Sequence, residues 1–196
     1  MGIVLILIIS YLIGSIPTAY LVGRICAKVD IRTVGSGNVG ASNVYRVVGK
    51  SAGISVLIID ILKGLLPVYA VGLLEFDTIH KIIAGLGAIS GHTWTIFLKF
   101  KGGKGVATGL GVFLGLTPIP VLIVLVIFIL VVALSKYIAL GSIIGALLLP
   151  LLLLLFEKEN IIKIFGMAVS LLIVIRHIPN IKRLITGKEH KFGAKL

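Results

Sequence analysis

The chain has 196 residues, of which 58% are hydrophobic and only 13% charged, against about 45–50% and 25% in an ordinary globular chain. With a mean hydropathy of +1.19, a soluble fold of this size lacks the interior to hide its apolar side chains. A soluble enzyme, a disordered chain and a disulfide scaffold are thereby excluded, and an integral membrane protein remains; its net charge of +12 suits basic loops that orient the chain in a bilayer or hold phosphate groups.

Gly2–Gly23 is the first apolar run close to the roughly 20 residues that span a bilayer. No Lys or Arg precedes Arg24, and no small-residue cleavage site closes the run, so it reads as a retained helix and not a secretory signal. The polar loop Asp30–Lys50 follows and contains Gly35-Ser36-Gly37-Asn38-Val39-Gly40-Ala41-Ser42-Asn43 and then Arg46. Three glycines in six positions permit positive φ and let backbone N–H groups converge as an anion-binding nest. Ser36, Asn38, Ser42 and Asn43 add neutral donors, and Arg46 adds a planar charged fork. A plain linker needs none of these.

Gly53–Leu74 is the second span, with Asp60 and Lys63 one turn apart and Gly64 after them. Pairing offsets part of their desolvation cost, and the pair either locks the helix or shapes a site. Ile79–Leu98 is the third span. Lys99-Phe100-Lys101-Gly102-Gly103-Lys104-Gly105 then runs directly into a helix, whose N-terminus behind glycines makes a second anion site. Lys104 stands among glycines with no bulky neighbour. Lys99 and Lys101 read as anchors to lipid phosphates, and Trp94, Phe97 and Phe100 as interfacial aromatics.

Gly105–Leu116 is short and ends at Thr117-Pro118-Ile119-Pro120, a turn between helices rather than helix interior. Pro120–Leu134, Ile138–Phe156 and Asn160–Ile175 complete seven spans. Ser142, just inside the sixth, is either a helix contact or a pocket hydroxyl. Arg176, His177, Asn180 and Arg183 open the tail, where His177 and Asn180, three apart, share one helical face. With the N-terminus outside, the inner loops and tail carry 15 of the 19 basic residues, as the positive-inside tendency requires. The expected fold is therefore all-α: a polytopic membrane protein of seven transmembrane helices with a cytoplasmic C-terminus, one domain over 1–196. Its polar residues gather at the inner edges, where they mark function.

Gly49-Lys50-Ser51 resembles the end of a nucleotide-binding loop, but the glycine required five positions earlier is Val44. Asp30, Asp60 and Glu189 are far apart in sequence and no paired-histidine spacing occurs, so no metal site is expected. The segments Gly35 to Asn43, Asp60-x-x-Lys63-Gly64, Gly91-His92, Gly102-Gly-Lys-Gly-Val-Ala-Thr108 and Arg176-His177…Asn180-Ile-x-Arg183-Leu stand in this order. Together they resemble the acyl-phosphate:glycerol-3-phosphate acyltransferases, the PlsY family, from about Gly14 to Lys191. Ser42 stands where that family usually has Thr, and the hydroxyl is kept.

The resemblance implies a bacterial inner-membrane enzyme with a cytoplasmic active site. It would move a fatty acyl group from acyl phosphate to the 1-hydroxyl of glycerol 3-phosphate without metal or organic cofactor. Membrane lipid surrounds it, and neither nucleic acid nor an obligatory protein partner is implied. Ser36, Gly37, Asn38, Ser42, Asn43, Gly103 and Lys104 would hold acyl phosphate. Arg46, Lys104, Ser142, His177 and Asn180 would hold glycerol 3-phosphate. Lys104, His177 and Ser36 are the expected catalytic residues, and the proton of the attacking hydroxyl would go to a substrate phosphate or to His177. A small transporter of phosphorylated solutes is the alternative, although transporters place their sites near the bilayer midplane between repeated halves.

Overall fold

A computed structural model describes residues 2–193; Met1 and the last three residues, which the expected domain 1–196 includes, lie outside them. The described residues are helical, with no strand among them, and form two compact units, one reaching Gly115 and one starting at Leu116.

The first unit holds α1 (Gly2–Ser15), α2 (Thr18–Ala27), α3 (Ala41–Val47), α4 (Lys50–Leu73), α5 (Thr78–Thr93), a 3-10 turn (Ile96–Leu98) and α6 (Val106–Leu116). The first apolar run is thus two helices and not one, because Pro17 lacks an N–H and breaks the ladder after Ile16. The polar loop is also partly helical: α3 forms inside it, and α4 starts at Lys50 instead of Gly53. α1 and α5 meet backbone to backbone, since a methyl at Gly14 would overlap the Ala88 backbone and one at Gly91 the Tyr11 carbonyl. Thr95 Oγ1 donates to the Ser15 carbonyl at 2.6 Å and Tyr11 Oη to that of Trp94 at 2.7 Å, which closes the same seam. Ile31, Val39 and Val44 of the polar segment plug into a core with Ala19, Val56 and Leu98. Each such side chain stabilises by about 1.5–3 kcal/mol relative to exposure.

The second unit holds α7 (Pro118–Ser135), α8 (Ile138–Phe156), α9 (Asn160–Arg176) and α10 (Ile178–Ile185). Pro118 opens α7 in the position where its missing N–H costs nothing. Gly141 and Gly145 of α8 admit Phe128, Val132 and Val124 of α7. α7 otherwise buries only Pro120 and Val121, as a lipid-facing helix does. α9 and α10 meet at 53° across His177.

Among the described residues, Gly2–Ala27 (α1 with α2), α4, α7 and α8 are long and apolar enough to cross a membrane, and α9 with α10 makes a fifth if the bent pair counts as one. The other two runs of the expected seven form shorter helices. At 1.5 Å per residue, α6 covers about 16 Å, half of a bilayer core.

Candidate active site

The first polar segment is held by its own side chains. Asn43, only 1% exposed, accepts the Ser36 N–H through Oδ1 at 2.9 Å and donates through Nδ2 to the carbonyls of Ile31 at 3.0 Å and Val34 at 3.1 Å. Gly35, at φ 61°, lies so close to Asn43 Oδ1 that a Cβ would overlap it. The amides of Gly37 and Gly40 are bonded to the carbonyls of Val34 and Asn38. Gly35 and Gly37 take positive φ, but Gly40 is extended at φ −158°. The three-glycine nest read from the sequence is therefore altered: amides of Ser36, Gly37 and Gly40 turn onto the loop itself. Ser36 is exposed, and Gly37, Asn38, Ser42 and Arg46 are half-buried.

Asp30 anchors the start of this segment. It takes a two-point contact from Arg32, at 2.9 and 2.7 Å, and a longer one from Arg24 at 3.3 Å. Both guanidinium groups also lie over the Tyr20 ring. The Arg32 hydrogen bonds hold the Asp30 carboxyl well below the usual carboxylate range, and Asp30 raises Arg32 in return.

The second loop hangs on the end of α5. Gly102 N–H donates to the Thr93 carbonyl and Gly103 N–H to that of His92, both at 3.1 Å, so two helix-terminal carbonyls receive the donors their own helix lacks. A Cβ at Gly103 would overlap the His92 ring and approach the Val39 carbonyl at 2.8 Å, so only glycine lets the two glycine-rich segments touch. Lys99 and Phe100 carry the left-handed backbone of the turn, at φ 53° and 61°. Gly105, at φ 85°, leads into α6, and Lys104 is half-buried beside it. Lys99, Lys101, Trp94, Phe97 and Phe100 are exposed.

Beneath these loops α4 carries a charged pair. Lys63 Nζ is 2.8 Å from Asp60 Oδ1 and 3.1 Å from the Ile16 carbonyl, and His92 Nδ1 is 4.0 Å from the same Asp60 oxygen. The three side chains are almost wholly buried and line a small pocket with Pro17, Val39, Gly102 and Gly103. The α4 pair was visible in the sequence. Its link to His92 was not.

In the second unit, Ser142 Oγ donates to the Ile138 carbonyl at 3.0 Å. His177, 3% exposed, is 2.8 Å through Nδ1 from the Ile173 carbonyl. A carbonyl only accepts, so Nδ1 carries hydrogen and a neutral ring presents Nε2 as its acceptor. Asn180, on the turn after His177, donates through Nδ2 to Glu189 Oε1 at 2.9 Å, while Arg183 Nε binds Glu189 Oε2 at 2.8 Å. Glu189 was missed as a site neighbour; its one sequence signal is a lone acid in a basic tail.

The chain matches the family model described as glycerol-3-phosphate acyltransferase over residues 4–187. A glycerol-3-phosphate acyltransferase of Endomicrobium trichonymphae is 52% identical over 96% of this chain and 94% of its own, and one of Geobacter sulfurreducens is 47% identical over 95% of each. The fold superposes with TM-score 0.92, at 36% identity, on a crystal structure of PlsY (YgiH), an integral membrane glycerol 3-phosphate acyltransferase, in its glycerol 3-phosphate form; 98% of this chain and 96% of that one are covered. A lysophosphatidic acid form of PlsY gives TM-score 0.89 at 35% identity, with 98% of this chain and 96% of that one covered. The chain is an all-helical membrane protein that belongs to the glycerol-3-phosphate acyltransferase family.

Proposed function

We propose that this protein transfers a fatty acyl group from acyl phosphate to the 1-hydroxyl of glycerol 3-phosphate. The hydroxyl oxygen bonds to the acyl carbon, the bond from that carbon to the phosphate oxygen breaks, and lysophosphatidate and inorganic phosphate leave. The observation that carries this reading is the match along nearly the whole chain to a protein crystallised with glycerol 3-phosphate. The acyl donor is already activated, so positioning two anions and stabilising charge on the carbonyl oxygen and leaving phosphate suffices.

Ser36, Asn38, Ser42 and Lys104 hold the acyl phosphate in this proposal, while Gly37 and Gly103, whose amides are bonded to the Val34 and His92 carbonyls, shape the two loops around it. Asn43, whose amide is engaged by the loop, serves by keeping Ser36 in place. Arg46, Lys104, Ser142, His177 and Asn180 hold glycerol 3-phosphate, and Lys104 touches both anions. The hydroxyl proton passes to a substrate phosphate, with His177 the competing base. Both units serve one catalytic domain, which the family match across residues 4–187 supports. The distribution of basic residues supports seven spans with the N-terminus outside and the site facing the cytoplasm, and the family resemblance implies that the membrane is a bacterial inner membrane.

Purified protein given synthetic acyl phosphate and labelled glycerol 3-phosphate is expected to form lysophosphatidate. Lys104→Ala and Ser36→Ala should each reduce turnover at least about 100-fold, as loss of a charge-stabilising donor does. Near-normal turnover in both variants overturns the site. Loss of kcat in His177→Asn at unchanged KM assigns the proton to His177; retained kcat assigns it to a substrate phosphate.

A further inference from the structure

We infer that Asp60, Lys63 and His92 are positioning residues that seat the second glycine loop, and with it Lys104, without touching substrate. This rests on the acyltransferase reading above. A buried ion pair is a poor means of stabilising a helix, because well-packed apolar residues of the same volume do as well or better, and in a membrane segment its desolvation cost is greater still. The geometry gives the pair another task. Lys63 holds the Ile16 carbonyl at 3.1 Å, at the break where Pro17 offers no N–H to continue the ladder. Its charge is balanced by Asp60 at 2.8 Å, whose Oδ1 faces His92 Nδ1 at 4.0 Å.

His92 is then the floor of the loop. Its carbonyl accepts the Gly103 N–H at 3.1 Å, and its ring fills the space that a side chain at Gly103 would need. Gly103 is confined between that ring and the Val39 carbonyl of the first loop. The array therefore joins the α1–α2 break, the α4 pair, the end of α5 and both glycine-rich segments, with Lys104 one residue beyond. A shift of about 1 Å at a substrate-holding group costs on the order of 100-fold in rate, so a residue beneath the loop acts on turnover through Lys104.

The test compares His92→Ala, His92→Gln and the double variant Asp60→Asn with Lys63→Met, using purified full-length protein. Steady-state kinetics are read with hydrogen exchange at the Gly102 and Gly103 amides. His92→Ala is expected to lower kcat/KM for acyl phosphate about 10- to 100-fold and to expose those two amides to exchange while amides of α1 and α5 stay protected. His92→Gln, which refills the space, recovers part of the activity, and the double variant loses activity and loop protection together. Wild-type kinetics in His92→Ala or in the folded double variant overturns the inference. So does loss of activity matched by loss of protection throughout α1 and α5, or a double variant that fails to fold, since either makes the array a fold lock. Failure of the wild-type protein to form lysophosphatidate overturns the acyltransferase reading itself, whereas normal wild-type turnover beside an unaffected His92→Ala overturns only the positioning role.

Discussion

Asn43 offers two amide hydrogens and a carbonyl oxygen, and the first polar segment engages both ends of that amide. Asn43→Asp keeps the shape but loses both donors and sets a carboxylate against two carbonyls. It is expected to destabilise the protein by at least about 1–3 kcal/mol, the range for leaving a buried polar group unsatisfied, and a thermal melt in detergent measures the loss. Asp30 carries a different kind of contribution. Its carboxyl is lowered in the folded state, chiefly by its hydrogen bonds from Arg32. Stability from such a group is present in full above the unfolded carboxylate range and fades as acid protonates the unfolded chain first. The melting temperature of wild type should therefore exceed that of Asp30→Asn by a constant amount from pH 8 to about pH 5, and the difference should shrink below about pH 4. A difference that grew in acid would contradict the sign. Residue types announced these donors, but which donors were left for a ligand depended on partners up to twelve positions away.

At the level of elements, glycines and prolines decide where helices stop and how closely they approach. Pro17 divides the first span, and Gly14 and Gly91 allow α1 and α5 to share backbone contact. The two prolines after α6 were read as a turn between helices; the helix does end at Leu116, but only Thr117 separates it from α7, and both prolines lie in the first turn of α7, which starts at Pro118. The polar segment was read as loop throughout, yet Ala41–Val47 winds into α3, because Val44 packs into the core and tertiary burial outweighs the segment's weak helical propensity. The α9–α10 bend depends on the tail in a similar way: Glu189 receives both Asn180 and Arg183, and Phe192 N–H reaches the Lys136 carbonyl at 2.6 Å. Glu189→Ala removes the acceptor that orients the Asn180 amide. It should raise KM for glycerol 3-phosphate about 10-fold, one charge-assisted hydrogen bond, and kinetics with saturating acyl phosphate would detect it.

For the whole molecule, membrane embedding, helical class and family were all legible in the chain. Hydropathy, charge bias and ordered motifs are properties of contiguous segments, and a bilayer selects segments by their summed apolarity. The proposed orientation has a direct test in Cys26, which is exposed just before the end of α2. In intact cells a membrane-impermeant maleimide should leave Cys26 unlabelled until the membrane is opened; labelling from outside would invert the topology. Span length was less legible for α5, which the turn carrying Trp94 and the 3-10 segment cut short of its apolar run, whereas α6 matches the short run between glycine and proline read from the sequence. What tertiary structure alone decided was the use of each polar group. Asn43 closes on its own loop, Lys63 holds a carbonyl 47 positions earlier, His92 supports Gly103, and Glu189 orients Asn180. Hydrogen bonds and ion pairs act over a few ångströms in space, whereas a sequence orders residues only along the chain.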